Sequence, residues 1–225
     1  MNWDAIFLTL RLAALTALVL WVAGTPLAYW LSFSRWRWKF LAESVVALPL
    51  VLPPTVLGFY ILVALGPNSP FGQVYGALTG SQLPFTFGGL LVASVLYSLP
   101  FAVQPFANGF GAVPVSLLEA SWMAGASPLR TFWRVVLPLS RPSVVTGLVL
   151  SFAHTMGEFG VVLMVGGNIP GATQTAAIDV YDKTQSLRYG EAGATALFLL
   201  VLSYLVLSIV YGYNRRIQRA LNSYL

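Results

Sequence analysis

Cysteine is absent from this chain of 225 residues, and histidine occurs once. These two shortages exclude disulfide scaffolds, zinc ribbons and thiol nucleophiles, and leave too few soft ligands for most transition-metal sites. Charge is scarce too: Asp, Glu, Lys and Arg make up 8% of the residues, against about 25% in soluble proteins. Hydrophobic residues make up 57% and aromatics 14%, and mean hydropathy is +0.77. That composition excludes a water-soluble globule, and also disorder, which needs low hydrophobicity and high net charge. Lipid is the solvent for most of this chain.

A bilayer crossing takes about 20 mostly apolar residues to span roughly 30 Å of hydrocarbon. Uncharged runs of that length predict spans at 12–34, 44–65, 88–107, 142–165 and 192–214. Between Ser44 and Leu118 no residue is charged over 75 positions. This is too long for one crossing, and Gly66-Pro67-Asn68-Ser69-Pro70 divides it. The fourth span carries His154 and Glu158 as its ionisable groups. The segment 166–190 has room for a surface helix, and 66–87 leaves open a further short one.

The net charge of +5 does not form a nucleic-acid stripe, because the basic residues stand in clusters between apolar runs. Arg35, Arg37, Lys39, Arg130, Arg134, Arg141, Arg215, Arg216 and Arg219 fall on one side of the predicted membrane, nine of the 12 Lys and Arg. The positive-inside rule then places the N-terminus outside and the C-terminus in the cytoplasm. The first span does not read as a secretory signal, because Asp4 and Arg11 precede the apolar run while Arg35, Arg37 and Lys39 follow it, a charge bias opposite to that of a signal. Trp30, Trp36 and Trp38 suit the membrane interface.

Segment 112–141 is too polar and interrupted to cross. Leu118, Ser121, Trp122 and Gly125 share a helical spacing, and Leu129, Phe132, Trp133 and Val136 repeat it, which predicts two short helices each with one apolar side. Gly125 supplies the turn between them. Ser127-Pro128 reads as an N-cap with proline in the first helical position. Helices this short are unstable alone in water, so the pair must pack on the membrane part or on another protein.

Glu119-Ala120-Ser121, three residues, Gly125, nine residues, then Val135-Val136-Leu137-Pro138 resembles the EAA loop of binding-protein-dependent ABC importer permeases. The family pattern has a second Ala where Ser121 stands and Ile where Val135 stands. Further segments resemble the molybdate branch of that family: Leu48 to Gly58 with Pro53, Pro54 and Thr55, the tetrad Gly157-Glu158-Phe159-Gly160, and Gly167 to Gly171 with Thr173-Gln174-Thr175. Sulfate and tungstate permeases share parts of these segments. The resemblance implies an all-α polytopic transmembrane helical bundle of the MetI-like ABC importer permease class, multi-pass in the cell inner membrane. It further implies a coupling surface at Glu119, Ala120, Ser121, Gly125, Phe132, Val135, Leu137 and Pro138. The implied partners are a second copy of the chain, two ATP-binding subunits that hold ATP and Mg on the cytoplasmic face, and a periplasmic or extracellular oxyanion-binding protein. No cofactor is expected on the chain itself, and no nucleic acid among its partners.

The residues also limit the chemistry of a path. Pro53 and Pro54 lie about 15 Å into the second span and Pro100 similarly deep in the third, so both should bend near the midplane. A carbonyl freed by proline must face protein or water, which places such breaks inside a bundle. His154 and Glu158 are one helical turn apart, which puts them on the same face of the fourth span. A bare carboxylate would repel an anion, and no predicted span contains Lys or Arg, so Glu158 reads as a gate or network residue with a structural role as the alternative. The expected path or gate set is Pro53, Pro54, Thr55, Gly157, Glu158 and Gly160. No ATP site is legible: the one Lys-Thr pair is Lys183-Thr184, and Asp182 stands where a phosphate loop needs glycine. Other classes remain open at this level: an ATPase-independent transporter or channel, an intramembrane enzyme and a membrane anchor.

Overall fold

The computed structural model describes residues 1–222, with side chains described through Tyr213. The expected positions of the Arg215, Arg216 and Arg219 side chains therefore fall outside the described residues. In chain order the helices are α1 (Trp3–Phe33), α2 (Lys39–Val51), α3 (Pro54–Leu65), α4 (Pro70–Thr79), α5 (Phe87–Gly111), α6 (Val115–Met123) and α7 (Pro128–Thr131). A π turn (Phe132–Val136) and α8 (Leu137–Leu139) then lead to α9 (Arg141–Met156), α10 (Gly160–Gly166), α11 (Ala176–Gln185) and α12 (Tyr189–Asn222). Three helical stretches are long and apolar enough to cross a membrane: α1, α5 and the Tyr189–Tyr213 part of α12. Counting each of two bent helix pairs as one crossing raises the number to five.

Local chemistry starts α1 and α5. The Asn2 side chain accepts the Ala5 N–H at 3.2 Å to cap α1, and Asp4 in the first turn favours the positive end of the helix dipole. Thr86 caps α5 in the same way through the Gly89 N–H. α1 begins at Trp3 rather than near Leu12, so Arg11 lies within the helix and sits 4.6 Å from the Phe87 ring centroid. That cation–π contact gives the guanidinium a partner without a carboxylate.

Two expected spans are broken. Leu52 and Pro53 each precede a proline and adopt extended conformations, ψ 137 and 136, because a following proline ring disfavours the helical region. α2 and α3 consequently meet at 116°, a turn rather than the expected bend. The fourth span also departs from expectation: α9 stops at Met156 and α10 starts at Gly160, so 142–165 is not one helix. Pro100 and Pro105, in contrast, lie inside an unbroken α5. The segments 66–87 and 166–190 each contain a short helix, α4 and α11.

α5 is the central element, with α1, α9, α2, α10 and α3 packed on it. Because lipid offers no hydrophobic gain for helix association, small residues must bring backbones close. A Cβ on Gly147 would lie 2.7 Å from a Phe106 ring carbon and 2.9 Å from the Ala102 carbonyl oxygen. At the end that carries Arg35, Arg37, Arg130, Arg134 and Arg141, Phe106, Phe110, Leu118, Phe132, Val136 and Val144 form the largest apolar cluster. Smaller clusters join α3, α5 and α10 through Ile61, Ala93 and Val165, and α1, α5, α10 and α11 through Leu12, Leu90 and Ile178.

α11 is anchored by polar contacts. Lys183 and Asp179 form an ion pair at 2.8 Å with both side chains buried, Asn2 donates to Asp179 at 3.2 Å, and the Ala176 N–H donates to Thr9 at 2.8 Å. Removing one member of a buried pair strands the other charge, at a cost of roughly 3–5 kcal/mol, whereas replacing both with apolar residues is near neutral. Asp179→Ala should therefore lower the thermal stability of the purified protein sharply. Asp179→Leu combined with Lys183→Met should restore most of it. Equal stability of the single and double variants in a thermal melt would show that the pair carries no such burden.

Candidate functional site: a helix break and an exposed two-helix loop

The break between α9 and α10 faces the break before α3. Pro54 and Thr55 of α3, Tyr97 of α5, Ala153 and His154 of α9, and Gly157, Glu158, Phe159 and Gly160 of the connecting turn line one cleft of about 580 Å³. Five of the six residues expected to mark a path thus come together, although they are separated in sequence. Pro53 forms the bend but does not line the cleft. Gly160 permits the approach, since a Cβ there would lie 2.8 Å from Cβ of Pro54. Gly58 does the same one turn along α3, where a Cβ would lie 2.8 Å from Cβ of Met164.

The helix break also separates His154 from Glu158. Because α9 ends at Met156, the two do not share a helical face as the spacing suggested, and no ion pair joins them among the described residues. Nδ1 of His154 is 2.9 Å from Oγ of Ser98, which is in turn 2.9 Å from Oγ1 of Thr155. The ring stacks on Phe101 at 4.0 Å between centroids and lies 4.6 Å from Tyr97. This histidine is held as a packed, hydrogen-bonded ring. Glu158 is only 4% exposed, yet neither carboxyl oxygen has a hydrogen-bond partner. Ser94 lies beside it, with a hydroxyl that is also buried and unpartnered. Sequence reading missed Ser94 and Ser98. Their signal is a pair of hydroxyls four positions apart within the apolar α5 segment.

The second candidate surface is the loop between α5 and α9. α6 ends in a Schellman turn: the Gly125 N–H reaches the Trp122 carbonyl at 2.9 Å, and the Ala126 N–H reaches Ser121 at 3.1 Å. This arrangement holds Gly125 at φ 77, in the left-handed region that glycine tolerates. Ser127 then caps α7 by accepting the Arg130 N–H at 3.3 Å, with Pro128 in the first turn, as the sequence pattern predicts. Ser121 and Thr131 hydroxyls lie 2.9 Å apart and pin the two helices together.

The apolar stripes expected on these helices are split. Leu118, Phe132 and Val136 are buried in the main cluster, and Phe132 meets Tyr29 and Phe110 edge to face. Trp122, Met123, Leu129 and Trp133 remain exposed, and Phe132–Val136 forms a π turn, whose angular spacing differs from that of the α-helix on which the pattern relied. Glu119, Ala120 and Gly125 are exposed as well, while Val135, Leu137 and Pro138 are partly covered. Met123 is 84% exposed, so α6 presents apolar surface outward on a base that is fixed from behind.

Residues 24–221 match the family described as "Binding-protein-dependent transport system inner membrane component". The chain is 52% identical over 211 residues to the molybdenum transport system permease protein ModB of Azotobacter vinelandii, covering 94% of this chain and 93% of that protein. It is 34% identical over 205 residues to a putative molybdenum transport system permease protein, YvgM, of Bacillus subtilis, covering 91% and 90% respectively. Among solved structures, a chain of a bacterial ABC transporter involved in import of the acidic polysaccharide alginate superposes with a TM-score of 0.76 at 17% identity, covering 95% of this chain and 79% of that one. At that identity the likeness concerns the fold. The all-helical architecture, the broken helices and the match over nearly the whole length agree: the chain belongs to the binding-protein-dependent transport system inner membrane component family, as a permease subunit of an ABC importer.

Proposed function

We propose that this permease carries molybdate inward across the cell membrane, driven by ATP hydrolysed on separate subunits. The observation that carries the reading is the 52% identity to a molybdenum permease along almost the entire chain, combined with a two-helix loop whose apolar residues face outward. Two copies of the chain enclose the path between them, since one protomer leaves Pro54, Thr55 and Gly157 exposed at its cleft. Two ATP-binding subunits dock on α6 and the Gly125 turn, and they hold the nucleotide and its Mg. Lys183, the lysine of the single Lys-Thr pair, is committed to Asp179.

The distribution of Lys and Arg along the sequence supports an N-terminus outside and basic loops in the cytoplasm. An oxyanion-binding protein then meets the opposite face, near α11. The path set is Pro53, Pro54, Thr55, Gly157, Glu158 and Gly160; the coupling set is Glu119, Ala120, Ser121, Gly125, Phe132, Val135, Leu137 and Pro138. With no Lys or Arg lining the cleft, selectivity belongs to the binding protein, and the path offers weak sites from which an ion can leave. In proteoliposomes containing the permease and its cognate ATPase, molybdate-loaded binding protein should stimulate ATP hydrolysis and molybdate uptake several-fold over unloaded protein. Sulfate-loaded protein stimulating better than molybdate-loaded protein would reassign the cargo. Uptake against a gradient by the permease alone would overturn the ATP-driven reading.

A further inference from the structure

A second cavity opens further along α5. Ser32 of α1, Lys39 and Glu43 of α2, and Gln104 and Asn108 of α5 form its polar wall around a volume of about 370 Å³, within the range of small-ligand sites, roughly 300–1,000 Å³. Gln104 and Asn108 are exposed, and neither carboxamide has a hydrogen-bond partner among the described residues. The Ser32 hydroxyl, in contrast, lies 2.8 and 2.9 Å from the carbonyls of Ala28 and Ala107. Gln104 precedes the end of α5 at Gly111 by seven residues, about 10 Å at 1.5 Å per residue. A carboxamide at that depth is costly against hydrocarbon. Pro105 is a second sign of water here. It removes the N–H that would satisfy the Phe101 carbonyl, and an acceptor freed in this way must meet protein or water.

One helix face joins this cavity to the cleft at the α9–α10 break. Tyr97, Phe101, Gln104 and Asn108 recur at i, i+4, i+7 and i+11 along the unbroken α5, which puts them on the same side. Tyr97 lines the cleft, Phe101 stacks on His154 of the cleft, and the next two positions carry the free amides. The stripe runs about 16 Å toward the end of the bundle that carries Arg35, Arg37 and Lys39. Lys39 is held by Glu43 at 3.4 Å, with both side chains partly exposed, and an exposed pair of this kind is weak enough to exchange partners. Asn108 stands in the last turn of α5 and Lys39 in the first turn of α2, so the negative end of one helix dipole offsets the positive end of the other. The side chains then decide what the cavity offers. Each carboxamide has two N–H donors and the ammonium three, against the single carboxylate of Glu43.

We propose that Gln104 and Asn108, together with Lys39, form an exit site for the oxyanion on the basic side of the permease, reached from the cleft along one face of α5. The inference rests on the proposed oxyanion path and supplies its inner half. The amides donate to the anion's oxygens, and the Lys39 ammonium leaves Glu43 to meet its charge. Glu43 competes for the ammonium throughout, so the site releases its cargo, as conduction requires.

Because the chain contains no cysteine, Gln104→Cys and Asn108→Cys each place a single thiol on the permease. The permease–ATPase assembly in lipid nanodiscs, with and without ATP and vanadate, is treated with a sulfonate-bearing and a trimethylammonium-bearing methanethiosulfonate, and labelling of the permease is read by mass. Relative to free cysteine, the anionic reagent should react about tenfold faster than the cationic one. Lys39→Gln in the same background should remove most of that preference, and millimolar molybdate should slow the anionic reagent. In proteoliposomes with loaded binding protein, Gln104→Leu should lower molybdate uptake about fivefold at wild-type thermal stability, and Gln104→Glu should lower it further by repulsion. No labelling by either reagent in any nucleotide state would put the amides against lipid or the second copy and overturn the proposal. Equal relative rates indifferent to Lys39→Gln, or wild-type uptake by Gln104→Glu, would overturn it too. The labelling needs no binding protein, so a wild-type assembly that shows the charge preference yet ignores molybdate-loaded binding protein would count against molybdate as the cargo and leave the exit site standing.

Discussion

Gly125→Val should reduce binding-protein-stimulated ATP hydrolysis and uptake at least tenfold while the chain still inserts and folds. The turn holds φ at 77, and an L-residue there costs roughly 1–2 kcal/mol, more for a β-branched side chain. Since about 1.4 kcal/mol is a factor of ten in an equilibrium constant, the equilibrium constant for forming the turn would fall about tenfold. The two hydrogen bonds that close it, from Gly125 and Ala126 to Trp122 and Ser121, would loosen together. Nothing lies within 4 Å of a Cβ at this position, so packing of the bundle is not disturbed and the loss is confined to the orientation of α6 relative to α7. Gly125→Asn should fall between valine and glycine, because asparagine tolerates the left-handed region. Stimulation of the valine variant at the wild-type level, measured with the same ATPase, would remove this turn from the coupling surface.

Gly147→Leu should be the most damaging substitution in the membrane part. Glycine inside a helix is about 1 kcal/mol worse than alanine on propensity alone, so a larger residue would stabilise α9 if space allowed. Space does not allow it: even a Cβ would approach the Ala102 carbonyl oxygen to 2.9 Å and the Phe106 ring to 2.7 Å. The carbonyl belongs to the backbone of α5 and cannot rotate away, and Phe106 is fully buried. Overpacking a well-filled core typically costs about 1–3 kcal/mol, and a leucine must also separate α9 from α5, the helix on which the rest assembles. The expected result is loss of monodisperse protein in detergent, with Gly147→Ala destabilised to a smaller degree. Gly193→Ala, in open surroundings, should gain from propensity and serves as the control. A Gly147→Leu protein that melts with wild-type stability would mean that the α5–α9 contact is looser than described.

These two glycines differ in how visible they were. Gly125 sits between two short amphipathic patterns, followed by Ser127-Pro128, and its turn follows from local signals that a sequence displays. Gly147 lies in an apolar run with no marker, and its importance arises only because α5 passes against it. The same division runs through the candidate site. Pro53-Pro54 advertises a break, since the restriction on a residue before proline is local, but the 116° angle and the close approach of Pro54 to Gly160 are not local properties. The Gly-Glu-Phe-Gly tetrad was legible as a motif, yet the end of α9 at Met156 was not, and a continuous helix would have put His154 and Glu158 on one face.

By itself the sequence determined the solvent, the clustering of the basic residues between apolar runs, the two-helix loop with its turn, and the family. Each of these depends on composition or on residues a few positions apart, where hydropathy, charge and the conformational limits of glycine and proline act directly. Only the tertiary structure decided which polar groups share the cleft and which remain without partners. Ser98 and His154 are bonded across 56 positions, and the isolation of Glu158 is defined by what α3, α5 and α9 fail to bring to it. Burial and hydrogen-bond satisfaction are set by packing between distant segments, and no period or spacing along the chain encodes them.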